Sequence, residues 1–179
     1  MMDSIKKQSV LEEINLVIGY DNDEVLKYIG DLKAIKLEYT GDKQANPFFY
    51  NTYMNELINC QAILPGHCLF LDDDDTLQPD AIKVLSEKLK PATSYIFPVQ
   101  RLNIQKPTPN MIHAKRIHRG YIGMSCLVLA TEHRQHVYFD ETEDSDYRAI
   151  CMLDKKVKLG WCNFPLVKSD SRSYGRMEK

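Results

Sequence analysis

The 179-residue chain is 44% hydrophobic and 27% charged, with a formal net charge of −2, the ordinary balance of a globular domain with a single core. That charge gives no electrostatic footprint for nucleic acid, and no apolar run approaches the roughly 20 residues a membrane span needs. The first residues, Met1-Met2-Asp3-Ser4-Ile5-Lys6-Lys7, lack the apolar stretch of a secretory signal, and Cys60, Cys68, Cys126, Cys151 and Cys162 are odd in number with no C-x-x-C, so they read as buried free thiols in a reducing, cytoplasmic setting.

Residues 3–12 read as a helix, Ile14 to Ile18 as a strand, and Gly19 to Asp23 as a turn. A short helix over 23–32 and a second strand from Ala34 to Tyr39 follow. After a polar loop over 40–47 comes a helix with Tyr50, Met54, Leu57, Ile58 and Ala62 on one face. Pro65-Gly66 turns the chain into the apolar run Cys68 to Leu71, a buried strand by length and flanks. It ends abruptly in Asp72, Asp73, Asp74 and Asp75. Pro79 then opens an amphipathic helix carrying Ala81, Val84, Leu85 and Leu89, which Pro91 stops. Tyr95 to Val99 reads as a strand, 103–119 as a basic, Pro-containing loop, and Gly120 to Ala130 as a buried strand. Thr142 is a plausible cap for a helix that buries Tyr147, Ile150, Cys151 and Leu153. A strand from Val157 to Phe164 leads to a polar tail. Alternating strands and helices imply an α/β fold with a largely parallel sheet.

The chemistry concentrates in two acidic turns. Side chains two apart on an extended segment share a direction, so Asp72 and Asp74 can aim two carboxylates at one point, a donor set suited to Mg²⁺ or Mn²⁺. A solvated acidic turn is the plainer alternative. The second turn, Tyr138-Phe-Asp-Glu-Thr-Glu-Asp-Ser-Asp-Tyr147, puts Glu143 and Asp144 in the first turn of a helix, where the dipole favours acids in any case.

The stretch Phe70-Leu-Asp-Asp-Asp-Asp…Pro79-Asp80, followed by Glu143-Asp-Ser-Asp-Tyr-Arg148, resembles family 2 glycosyltransferases, which have the GT-A fold. The resemblance implies one domain over 1–179, with 1–90 binding nucleotide-sugar and metal and 91–179 forming the acceptor side. It implies Asp72 and Asp74 as the metal-holding D-x-D pair, with Mn²⁺ or Mg²⁺ as cofactor, and Asp72 and Asp73 beside the nucleotide-sugar. Asp21 matches an aspartate that contacts the base, Asn51 an asparagine near the nucleotide, and Asp144 the catalytic base, with Glu143 or Asp146 next in line. Arg172 or Arg176 could meet phosphate. The implied reaction is inverting, hexosyltransferase-like transfer from a nucleotide-diphospho-sugar, a UDP-sugar by preference, to the hydroxyl of a glycan, lipid or other acceptor. The family's first strand has no counterpart ahead of residue 3. A degenerate, non-catalytic binding domain and a nucleotidyltransferase are the alternatives.

Overall fold

The structure, a computed structural model, describes residues 1–9, 14–20, 22–30, 33–41, 48–101 and 104–169. Asp21, Arg172 and Arg176 lie outside the described residues. The chain is a mixed α/β protein, but among the described residues its strands form three separate sheets instead of one mostly parallel sheet.

The first helix, α1 (Met2–Lys6), is shorter than the sequence suggests. Beyond it, side chains take over the docking. The Leu77 N–H donates to Ser4 Oγ at 3.0 Å. Gln8 Nε2 donates to the Gln78 carbonyl at 3.1 Å, and Gln8 Oε1 accepts from the Ile82 N–H at 3.1 Å. Ile5 anchors the helix in the core at 3% exposure.

Strands β1 (Leu16–Tyr20) and β2 (Ala34–Glu38) pair in parallel as a sheet of their own. They are joined through a 3-10 turn at Asp23–Val25, capped by the Asn22 side chain, and α2 (Leu26–Ile29). Helix α3 (Phe49–Asn59) carries this pair. Gly19 is required here, because a Cβ at that position would overlap the Tyr53 ring, and the Tyr53 hydroxyl donates to the Leu37 carbonyl. The buried face of α3 is not the apolar stripe expected. Tyr50 is 44% exposed, while Asn51, Tyr53 and Ile58 are buried.

The two larger sheets share the core. One runs β3 (His67–Leu69), β8 (Leu127–Ala130), β5 (Tyr95–Ile96) and β9 (Gly160–Trp161). The other runs β4 (Asp75–Leu77), β10 (Val167–Ser169), β6 (Val99–Arg101) and β7 (Ile104–Lys106). Each holds two antiparallel pairings and one parallel one. The expected strand from Tyr95 to Val99 is divided between them. Pro98 has no N–H for a ladder, so the chain leaves one sheet after Ile96 and enters the other at Val99. The β8 side chains are all buried, whereas those of β3 are only half-buried. Phe97, Phe139, Leu127, Leu129, Ile150 and Leu166 fill the space between the layers at 1% exposure or less.

Helix α4 (Ala81–Lys88) buries Ala81 and Leu85, and α6 (Ser145–Asp154) buries Ala149, Ile150 and Leu153. Tyr147 and Cys151, expected inside, are half-buried. The basic segment 103–119 is not simply a loop. It contains β7 and α5 (Pro109–Ala114), whose Thr108 cap accepts from the Met111 N–H at 3.4 Å. Only Gly160–Trp161 of the expected 157–164 strand is extended in a sheet, and β10 was not anticipated. All five cysteines are free, and only Cys126 is fully buried. No described helix is long and apolar enough to cross a membrane.

Candidate functional site

The four aspartates sit between two strands of different sheets, not between a strand and a helix. After β3 the chain leaves its sheet, turns at Asp73-Asp74 and re-enters at once as β4. The turn is closed by the Asp75 N–H donating to the Asp72 carbonyl at 3.1 Å. The turn points Asp75 inward, to 1% exposure, opposite Ser169 in the β4–β10 register. Burial pushes its carboxyl pKa up, while hydrogen bonds with Ser169, Ser125 and the Asp72 backbone hold it back. Its Oδ2 is buried with no hydrogen-bond partner, a costly arrangement for a carboxylate.

Asp72 stands at the surface. Protein nevertheless crowds its carboxyl enough for desolvation to be the leading influence, and its pKa is pushed up to about 6. The remaining causes are four like charges: Asp75, then Asp146, Asp74 and Asp73. Every influence on Asp72 thus disfavours its anion. Asp73 is exposed and Asp74 half-buried within the same turn.

The second acidic turn is built differently. Helix α3 holds it in place through side chains at helical spacing. Asn51 Nδ2 donates to the Asp140 and Thr142 carbonyls at 2.8 and 3.0 Å. Asn55 Nδ2 donates to the Phe139 carbonyl at 2.8 Å, and Asn55 Oδ1 accepts from the Phe139 N–H at 2.9 Å. Asn51 is fully buried, so it is neither a solvated helix-start residue nor open to a ligand as it stands. Asp140 receives Arg148 in a two-pronged pair, both contacts at 2.6 Å, and the Thr142 hydroxyl at 2.6 Å. Thr142 and then Arg148 hold the Asp140 pKa below the usual carboxylate range.

Helix α6 starts two residues later than the sequence suggests, with its cap at Asp144 and not Thr142. Asp144 occupies the cap position without capping, and Asp146, not Asp144, lies in the first turn. Asp144 is half-exposed and paired with the exposed guanidinium of Arg119. Asp146 faces the other way. Its Oδ2 accepts from the Met124 N–H at 3.3 Å, burial raises its pKa, and its charge reaches Asp72. Asp146 thus lies near enough for its charge to act on Asp72, while Asp144 pairs with Arg119. Spacing two residues beyond Asp144, on the next inward position of the helix start, was the available signal for Asp146. Arg119, 25 positions before Asp144 and 44 after Asp75, carried no signal in sequence.

The donor chemistry of the first turn fits a hard divalent ion: oxygen ligands crowded until one carboxyl is pushed toward neutrality. Among the described residues, no group of three or more His, Cys, Asp or Glu side chains is placed to hold a metal by itself. A site built on Asp72 and Asp74 would rely on oxygens from a ligand as well, which is common for Mg²⁺ with phosphates. The acids stand on open surface. The two best-formed depressions, of about 370 and 480 Å³, are lined by other residues. No protein-family model matches the chain, and no curated protein matches it in sequence.

Proposed function

We propose that the chain is a metal-dependent glycosyltransferase of GT-A type, moving a sugar from a nucleotide-diphospho-sugar to an acceptor hydroxyl. One observation carries the reading: the two acidic motifs, far apart in sequence, lie near enough in the fold for the charge of Asp146 to raise the pKa of Asp72. A structural acid turn gains nothing from collecting like charges from a second element. Asp72 and Asp74 would hold Mg²⁺ or Mn²⁺, and a bound ion there supplies charge neutralisation for a leaving diphosphate.

The chain's own residues account for the remaining steps. Asp75, fixed between β4 and β10, sets the direction of the turn that displays Asp72 and Asp74. The Asn51 and Asn55 clasp fixes the loop before α6. Asp144, on the outer side of that loop, takes the proton of the acceptor hydroxyl as general base. Arg119 occupies Asp144 in the absence of acceptor. An exposed pair of this kind is held weakly, so an incoming acceptor can displace it. A second reading has its own observation: Asp146 has the raised pKa and faces Asp72, so it is the alternative base.

The test is calorimetric titration with UDP, with and without Mn²⁺, followed by a donor-hydrolysis screen across nucleotide-sugars. Nucleotide binding that requires the metal, with turnover of at least one donor, is the expected result. Binding without turnover of any donor would favour a non-catalytic binding domain. Absence of binding with every nucleotide would remove the assignment.

A further inference from the structure

The second depression lies away from both acidic turns. It has a volume of about 480 Å³ and is walled by Lys115, Lys155, Lys156, Lys158, Asp154 and Trp161, among others. Four lysines against one aspartate is an unusual wall in a chain whose net charge is −2. The three lysines at 155–158 follow the end of α6, where its dipole favours cations. Lys115 comes from a different element, the C-cap of α5. It opens the segment after α5, where a left-handed residue (φ 52°) reverses the chain.

That segment ties the depression to the proposed site. Lys115 lines the cavity beyond the C-terminus of α6, and Arg119 pairs with Asp144 at its N-terminus. Residues 115–119 therefore run alongside a ten-residue helix, which spans about 15 Å. Lys115, Arg116 and Arg119 are all exposed along the way. From Lys88 to Thr131 the sequence contains no Asp or Glu, so the acids that offset this stretch come from elsewhere: Asp144 and Glu143 act on Arg119. The result is a run of exposed basic residues that begins at an open, lysine-walled surface depression with an aromatic side and ends at the Arg119–Asp144 pair.

We propose that this cavity is a remote binding subsite for an anionic oligosaccharide. The indole of Trp161 offers an apolar face for a sugar ring, and the lysines offer point charges for its carboxylate or phosphate groups. The negative end of the α6 dipole opposes an anion, and the excess of lysines over Asp154 outweighs it. In the glycosyltransferase reading, on which the role but not the binding rests, this oligosaccharide is the acceptor. Its charged end sits in the depression, and its growing end reaches Asp144 along the basic run.

Trp161 is the chain's only tryptophan, so intrinsic fluorescence reports on the cavity directly. The probes are trigalacturonic acid, a phosphorylated trisaccharide, neutral maltotriose and inorganic phosphate, titrated without nucleotide or metal. At least one charged trisaccharide should give a saturable change, at least tenfold tighter than maltotriose and tenfold tighter than phosphate. Lys155→Glu with Lys158→Glu, both exposed, should weaken it more than tenfold while leaving UDP–Mn²⁺ binding unchanged. If that double variant does not fold, Lys115→Glu tests the same wall from another element. No saturable response to either charged trisaccharide, equal response to maltotriose or to phosphate, or parent-like affinity in the folded variants would each overturn the proposal. Because donor and metal are absent, none of these outcomes bears on Asp72 and Asp74.

Discussion

The two acidic turns of this protein solve the same problem in opposite ways. In the turn before α6, the protein supplies cations: Arg148 grips Asp140 and Arg119 meets Asp144. In the turn after β3, the influences on Asp72 are burial and four neighbouring carboxylates, and its pKa rises to about 6. Acids neutralised from within are already complete as structure. For Asp72, crowded by its own kind, a proton or an ion bound from solution would relieve the repulsion. The contrast points to the β3–β4 turn as the ligand-dependent half of the site and to the α6 turn as the half that arrives pre-organised.

The largest effect that would sharpen this contrast is loss of the ligand. Asp74→Ala should abolish metal-dependent nucleotide binding in a calorimetric titration, with stability unchanged or raised, since Asp74 adds to the strain on both Asp72 and Asp75. A variant that unfolds, or binds as the parent does, would make the turn structural. Next, Asp144→Asn should cut transfer by roughly a hundredfold or more with donor affinity nearly unchanged. If Asp146→Asn has that effect and Asp144→Asn does not, the base is the acid facing Asp72.

A smaller effect tests pre-organisation. Asn51→Ala strips two carbonyls of the α6 turn of their donor and should cost about 1–2 kcal/mol, read by urea unfolding. An unchanged midpoint would mean that the turn holds itself. The smallest effect concerns pH. The folded pKa of Asp72, about 6, lies above the value of about 3.9 for a free aspartate. The folded state thus binds the proton more tightly, and the stability this gives is full below about pH 4 and lost as pH rises through 6. Asp72→Asn should therefore stabilise the protein at pH 7 by about 1 kcal/mol, reduced from the full linkage value because the residue is exposed. The gain should vanish below about pH 4. A stabilisation that persists at acid pH would show that charge is not the cause.

Much of this was legible in the sequence where one residue type has one meaning. The run from Asp72 to Asp75 marks a turn and Ala81 and Leu85 mark a helix face, through local patterning; of the strand expected over Gly120 to Ala130 only Leu127–Ala130 forms, because Met124–Cys126 winds into a 3-10 turn. What escaped depended on distant partners. Asn51 and Asn55 look like surface residues until the carbonyls of 139–142 are brought to them. Pro98 reads as part of one strand from Tyr95 to Val99, and only a second sheet makes it a crossing point. Val167 to Ser169 is too short to announce itself, and becomes a strand because β4 and β6 flank it. Asp144 and Asp146 differ by two positions, and it took the start of α6 to decide which one turns toward Asp72.

The isolated β1–β2 sheet has a consequence for folding cooperativity. Two strands alone are marginal in water, and this pair shares no ladder with either larger sheet among the described residues. It is held through α3, by the Tyr53 ring on Gly19 and the hydroxyl on the Leu37 carbonyl. Its amide protons should therefore exchange before those of the β8 core, with Tyr53 and the packing of Leu16 on the core setting their protection.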